Sequence, residues 1–229
     1  MYSLLVADDH PLFRDALQVV VSSGLPNSQL LEADSLAAAI PLITEHDGLD
    51  LLLLDLSLPD AEGLDGLTRV RETYPWLPVA IISAHQERQL VLDAISLGAV
   101  GYIPKSTPRE ALLNALTQML EGQLYLPAEV MRRPPTTSPS PQANTPEAAE
   151  RLAGEQLAQL TDKQLSVLHC MTQGMSNKQI ARELSIAETT VKTHVSAILR
   201  KLGATSRVHA IVMAGEANLP LYMASRTVR

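Results

Sequence analysis

The sequence predicts an α/β doubly wound (βα)5 domain followed by an all-α domain, and three observations carry that expectation. Over residues 1–125 short apolar runs alternate with helical patterns, as buried parallel strands alternate with the helices that connect them. A proline-rich stretch with no hydrophobic period fills 126–154. Helical periodicity then returns without strands over 155–220.

In the first part the elements run strand 3–7, helix 12–22, strand 29–33, helix 35–45, strand 51–55, helix 64–74, strand 78–83, helix 87–97, strand 100–103 and helix 108–121. Parallel neighbours require crossovers, right-handed by default, so helices cover both faces of the sheet. Ser35 and Thr107 suit N-caps and Pro108 a first helical position, while Gly24, Gly98 and Gly122 follow helices where a left-handed cap is wanted. Pro41, inside the second helical pattern, calls for a kink or a later start.

The run RRPPTTSPSPQANTPEAAE, 132–150, has five prolines and reads as a semi-extended tether. Beyond it come a helix, a turn at Gly174, a short helix from Ser176, a break near Ser185–Ala187 and a longer helix at about 188–201. With one more helix behind, this is a helix-turn-helix. On the longer helix Val191, Val195, Ile198 and Leu202 mark the core face, and Lys192, Thr193, Ser196, Arg200 and Lys201 fall largely elsewhere. Short polar and basic side chains near the start of such a helix reach base edges, and flanking cations bind phosphates.

Charge divides in the same way. Residues 1–130 hold 6 Lys+Arg against 18 Asp+Glu, a net −12, and residues 131–229 hold 12 against 7, a net +5. The basic half favours nucleic acid as a partner. Cys170 is the single cysteine, which excludes a disulfide framework, and its apolar surroundings VLHCM make it a small core residue. No apolar stretch reaches the ~18 residues of a membrane span, and no signal-peptide pattern opens the chain, so it reads as cytoplasmic, with no membrane partner.

Four strand-like runs end in reactive residues: LLVA in Asp8-Asp9, LLLL in Asp55, VAII in Ser83 and VGYIP in Lys105. Open α/β sheets gather chemistry beyond the carboxyl ends of their strands, so these residues converge on one site. Carboxylates and waters there suit Mg2+, and one aspartate can attack a phosphoryl donor with the metal, lysine and hydroxyl holding the phosphoryl oxygens. Asp60 and Asp65 read as turn or cap residues, and His10, in HPLFR, as the start of a helix.

Residue by residue, ADDHPLFRDAL at 7–17, LLLLDLSLPDAEGLDGL at 51–67 and GAVGYIPKS at 98–106 resemble the flavodoxin-like receiver domain of bacterial two-component response regulators. The resemblance implies that Asp55 is the phospho-acceptor and that Asp8, Asp9, Asp55 and the backbone carbonyl of Ser57 hold Mg2+. It makes Ser83, Tyr102 and Lys105 the phosphoryl-binding and switch residues.

LTDKQ, GMSNKQIARELSI, TTVKTHVSAILRKL and SRVHAI similarly resemble the LuxR-type four-helix DNA-binding domain. By that likeness Lys192, Thr193 and Ser196 face the major groove, and Asn177, Lys178, Thr190, His194 and Arg207 lie at or near the backbone, with Arg200 and Lys201 beside them. The family usually has Arg and then Glu in the first helix, where this chain has Lys163, Gln164 and Ser166, and it prefers Ser or Thr where Ala187 stands. Together the halves resemble a NarL/FixJ-type response regulator. That implies a cognate sensor histidine kinase and promoter DNA as partners, a homodimer on phosphorylation or DNA binding, and no enzyme activity beyond self-catalysed phosphoryl transfer and hydrolysis. A phosphorylation-independent DNA binder with a relic pocket is one rival, against which the intact Asp55 and Lys105 argue, and a haloacid-dehalogenase-type phosphotransferase is the other. Its nucleophile motif has a second Asp two residues on, where this chain has Ser57.

Overall fold

The computed structural model describes residues 2–46, 48–127, 156–220 and 222–223. The chain separates into two compact units on either side of residue 130. Most of the expected tether lies outside the described residues.

The first unit is a parallel sheet of β1 (Ser3–Ala7), β2 (Gln29–Ala33), β3 (Leu51–Asp55), β6 (Val79–Ser83) and β7 (Gly101–Pro104), in the order β2-β1-β3-β6-β7. A two-residue antiparallel hairpin, β4 (Ser57–Leu58) with β5 (Ala61–Glu62), follows β3 directly. Helices α1 (Pro11–Gly24), α2 (Leu36–Glu45), α3 (Asp65–Thr73), α4 (Arg88–Ser96) and α5 (Arg109–Leu120) complete the expected alternation.

Side-chain alternation along each strand splits the core in two. Leu5, Leu52, Leu54, Val79 and Ile81 pack with α2, α3 and α4, whereas Leu4, Val6, Leu51, Leu53 and Ile82 pack with α1 and α5. Burial on both faces of β1, β3, β6 and β7 explains why their sequences read as continuous apolar runs, while β2 at the sheet edge stays partly exposed.

Local chemistry departs from expectation at Gly24 and Thr107. Gly24 ends α1 without a left-handed φ; a Cβ there would lie 2.4 Å from Leu113 Cδ1, so glycine leaves room for the Leu113 side chain of α5. Gly98 (φ 97°) and Gly122 (φ 86°) are left-handed as read. Pro108, not Thr107, is the N-cap of α5, and α2 runs through Pro41 from Leu36, with Ser35 capping it by accepting from Ala38 N at 3.3 Å.

The second unit consists of α6 (Asp162–Thr172), α7 (Asn177–Glu183), α8 (Glu188–Leu202) and α9 (Arg207–Glu216) around a core of Leu165, Leu168, Ile180, Val191, Val195, Ile198 and Ala210. Reciprocal side-chain and backbone bonds, Thr161 with Gln164 and Ser176 with Gln179, cap α6 and α7. Ala187 at the start of α8 gives no such bond, and Gly203 ends that helix in the left-handed region at φ 63°. Cys170 is buried, and burial raises its thiol pKa.

Candidate functional site

The strand order places β1 between β2 and β3, so the connections leaving β1 and β3 diverge and open a crevice at their carboxyl ends. Asp8 and Asp9 follow β1, Asp55 ends β3, Ser83 ends β6 and Lys105 follows β7. Asp8 is 0% exposed, Asp55 3% and Ser83 0%. Buried carboxylates need compensation.

Lys105 supplies part of it. Its Nζ lies 2.8 Å from Asp8 Oδ2 and 2.8 Å from Asp55 Oδ2, and 5.2 Å over the ring of Phe13. Burial alone would lower the ammonium pKa, but the hydrogen bonds and charges of Asp55 and Asp8 outweigh it and raise it. Arg14 fixes the strand end by donating to Asp8 O at 2.6 Å while pairing with Glu32. Asp55 Oδ1, also buried, has no hydrogen-bond partner among the described residues.

Ser83 Oγ accepts from His85 N at 3.1 Å. Tyr102, 0% exposed, sends its hydroxyl to His85 O at 2.8 Å, so His85 joins the two residues. Burial, with Glu87 and Asp55 adding to it and Ser83 opposing, pushes the Tyr102 phenol up. Ser57 is exposed on β4, two residues beyond Asp55, in a cleft of about 700 Å3 lined also by Leu58, Asp60, Glu62, His85 and Leu90.

Three features were not read from the sequence. His10 does cap α1 as expected, but its ring also enters the pocket, with Nδ1 2.6 Å from Asp9 Oδ1 and 3.1 Å from Asp8 Oδ1. Asp8, Asp9, His10 and Asp55 each present a ligand atom, all within 4.8 Å of one another. The adjacency of His10 to the acidic pair was the available signal. Asp60, expected as a local turn or cap, caps α2 from across the unit by accepting from Leu36 N at 2.9 Å and Ala37 N at 2.6 Å. Phe13 under Lys105 is the third, and nothing in its spacing announced it.

In the helical unit the expected DNA-facing side chains divide. Thr190, Thr193 and Arg200 are exposed, and Lys178, His194 and Ser196 are partly so. Lys192 is placed otherwise than the sequence reading has it: it is 5% exposed, with Nζ 3.6 Å from Glu188 Oε1 one helical turn back. Lys201 Nζ donates to Gln159 O and Gln164 Oε1, each at 2.9 Å, and so ties α8 to α6. Arg207 donates to Asn177 Oδ1 at 3.1 Å and to Met175 O, and burial pushes its guanidinium down to about 10. These three cations act within the domain because long side chains next to carbonyls and carboxylates fold onto them.

Residues 4–117 match the response regulator receiver domain, and residues 158–214 match the bacterial regulatory proteins of the luxR family. A glycerol metabolism activator from Pseudomonas putida is 50% identical over 223 residues, covering 97% of this chain and 99% of its own. The chain belongs to the NarL/FixJ-type response regulators. The nitrate/nitrite response regulator protein NarL of Escherichia coli strain K12 is 35% identical over 210 residues, 92% of this response regulator and 93% of its own length. A crystal structure of a LuxR family DNA-binding response regulator from Silicibacter pomeroyi superposes with a TM-score of 0.51 at 30% identity, over 56% of this chain and 99% of that one. This response regulator is therefore a DNA-binding transcriptional regulator with an N-terminal receiver. No helix among its described residues is long and apolar enough to cross a membrane.

Proposed function

We propose that Asp55 accepts a phosphoryl group from the phosphohistidine of a sensor kinase and that this switches promoter binding by the helical domain. The observation that carries the reading is the Asp55 carboxylate, with Oδ2 held by Lys105 and Oδ1 buried without a partner among the described residues. The Asp55 carboxylate attacks phosphorus through one oxygen, the P–N bond to the donor imidazole breaks, and an acyl phosphate remains on Asp55. The orphaned oxygen and the excess of carboxylate over ammonium fit a divalent cation, with Asp8, Asp9, Asp55 and the Ser57 carbonyl as the groups that would hold Mg2+. When bound, Mg2+ neutralises charge on the phosphoryl oxygens.

Lys105 holds one phosphoryl oxygen from its present place. Ser83 turns its hydroxyl toward another and leaves His85 N, and His85 carries the carbonyl on which Tyr102 rests. The added charge at Asp55 thus reaches Tyr102 through one intermediate residue. Hydrolysis of the acyl phosphate resets the switch, and phosphorylation or DNA binding brings two copies together. We take 1–125 as receiver, 126–154 as tether and 155–220 as DNA-binding domain, acting in the cytoplasm.

On promoter DNA, Thr193 and Ser196 face base edges, Lys178, Thr190, His194 and Arg200 lie along the phosphates, and Lys192 joins them by leaving Glu188. Asn177, Lys201 and Arg207 reach phosphate only from positions that their internal bonds fix. A homodimer places two half-sites about one helical turn apart.

Incubation with acetyl phosphate and Mg2+ tests the acceptor. Asp55→Asn is expected to reduce hydroxylamine-sensitive labelling to background, and full labelling of that variant would overturn the assignment. The extended likeness to a glycerol metabolism activator supports the same class of target genes. Transcripts of glycerol catabolism are expected to fall at least about tenfold in a strain carrying Asp55→Asn grown on glycerol. Unchanged transcripts would remove that target.

A further inference from the structure

An acidic pocket of oxygen donors is sufficient for Mg2+, and the placement of a largely exposed imidazole at the rim of this one asks for a separate account. We propose that His10 is a further protein ligand beside the three carboxylates and the Ser57 carbonyl, through Nδ1, and tilts the pocket toward divalent ions that accept nitrogen, such as Co2+, relative to Mg2+. This rests on the reading of Asp8, Asp9 and Asp55 as a divalent-ion site.

Position is the first ground. His10 Nδ1 lies 2.6 Å from Asp9 Oδ1, 3.1 Å from Asp8 Oδ1 and 4.0 Å from Asp55 Oδ2. Ligands at about 2.1 Å from an octahedral ion stand about 3 Å apart when adjacent and about 4.2 Å apart when opposite. The observed spread, within 4.8 Å, closes onto one ion with small side-chain movements.

Backbone geometry is the second ground. His10 is extended, φ −91° and ψ 103°, which the following Pro11 favours on steric grounds. Its own N–H donates to Asp8 Oδ1 at 2.9 Å. The imidazole is therefore aimed by the residue after it and by the carboxylate before it, and little order remains to be imposed when an ion enters.

Charge is the third. Three carboxylates share one ammonium, and the buried Asp55 Oδ1 lacks any partner among the described residues. That orphaned oxygen is independent of His10 and points to a cation at the same spot. Mg2+ takes oxygen and holds its waters, whereas imidazole suits the first-row ions. One nitrogen in the set changes selectivity between the two classes more than affinity for Mg2+.

Calorimetric titration of the full-length protein with MgCl2 and with CoCl2 tests this, alongside His10→Ala, His10→Gln and Asp9→Asn. Circular dichroism first establishes that each variant is folded. In the wild type Co2+ should bind more tightly than Mg2+ and displace it. Both His10 variants should weaken Co2+ at least about tenfold, the scale on which even indirect ligand losses act, and change Mg2+ by less than about twofold. Asp9→Asn should weaken both ions. Pulsed EPR of the Mn2+-loaded protein should show a nitrogen coupling that both His10 variants lose. Equal effects on Co2+ and Mg2+, or no nitrogen coupling, would overturn the role of His10 and leave the pocket standing. Failure of the wild type to bind either ion in mutual competition would overturn the pocket reading itself.

Discussion

Charged groups in the sheet domain sit at strand ends, where a buried backbone fixes both their position and their direction. In the helical domain they sit on helix surfaces, at the tips of long flexible side chains. Asp8, Asp55 and Ser83 are carried into one crevice by residues that are themselves fully buried, and Lys105 spans the gap to two of them. Lys192, Lys201 and Arg207 instead fold back onto Glu188, Gln164 and Asn177. Topology dictates the first arrangement and local competition among acceptors the second. A charge in the receiver should therefore matter mainly for the balance of its pocket, and a charge in the helical domain for whether it is already engaged.

The largest effect that sharpens this contrast is expected at Lys105. Lys105→Met leaves two buried carboxylates with no ammonium, and breaking such a pair costs about 3 kcal/mol. The urea midpoint of the receiver transition should drop accordingly without divalent cation, and saturating Mg2+ should restore much of it by binding the folded state alone. A loss under about 0.5 kcal/mol, the level of an ordinary surface change, would mean that the pocket's charge is not what limits it.

Next in size is a comparison within the helical domain. Arg207→Ala removes the donor to Met175 O and Asn177 Oδ1 and should cost about 2–3 kcal/mol, as lost charged hydrogen bonds do. Arg207→Lys should recover little, because an ammonium lacks the planar fork. Lys201→Ala should cost about 1 kcal/mol and leave the salt dependence of DNA binding almost unchanged. The exposed Arg200 behaves in the opposite way: Arg200→Ala should be near neutral for stability and reduce the slope of log K against log salt by about one. If the Lys201 and Arg200 variants lost the same slope, the distinction between engaged and available cations would fail.

The same contrast explains what was legible in the sequence. Asp8, Asp55, Ser83 and Lys105 each end an apolar run, and a run that length reads as a buried parallel strand with one possible direction for its last side chain. The ten elements expected of the receiver match observed ones to within about two residues at each end, whereas the two-residue strands of the hairpin β4–β5 are too short to carry a pattern. Lys192 and Lys201 were placed by helical spacing and the family likeness, which set the face of a helix but not the rotamers of a four-carbon stem. Asp60 was read as a cap, yet its partner helix begins 24 residues earlier, and no local pattern carries that distance. Gly24 stood where a left-handed cap belongs and instead makes room for Leu113.

The smallest effect concerns Asp60 and tests whether a strand-end carboxylate outside the pocket is as well positioned as one inside it. Desolvation opposes its charged form, but the N–H groups of Leu36 and Ala37, with Arg69 nearby, outweigh it and hold the carboxyl below the ordinary value of 3.8. A group depressed in the folded state contributes stability above its unfolded value and loses it as pH falls through the folded one. At neutral pH, Asp60→Ala should therefore cost about 1 kcal/mol through the lost cap, with the ionic share reduced by solvent and salt because the side chain is exposed. The gap between wild type and variant should stay constant from pH 7 down to about 5 and narrow only below pH 3.8, where Asp60 takes up its proton. Denaturation midpoints across that range measure it. A gap that closed already near neutral pH would place its origin in another group. A gap that persisted to the lowest pH would assign the stabilisation to packing of the hairpin against α2 and not to the carboxylate on its two N–H donors.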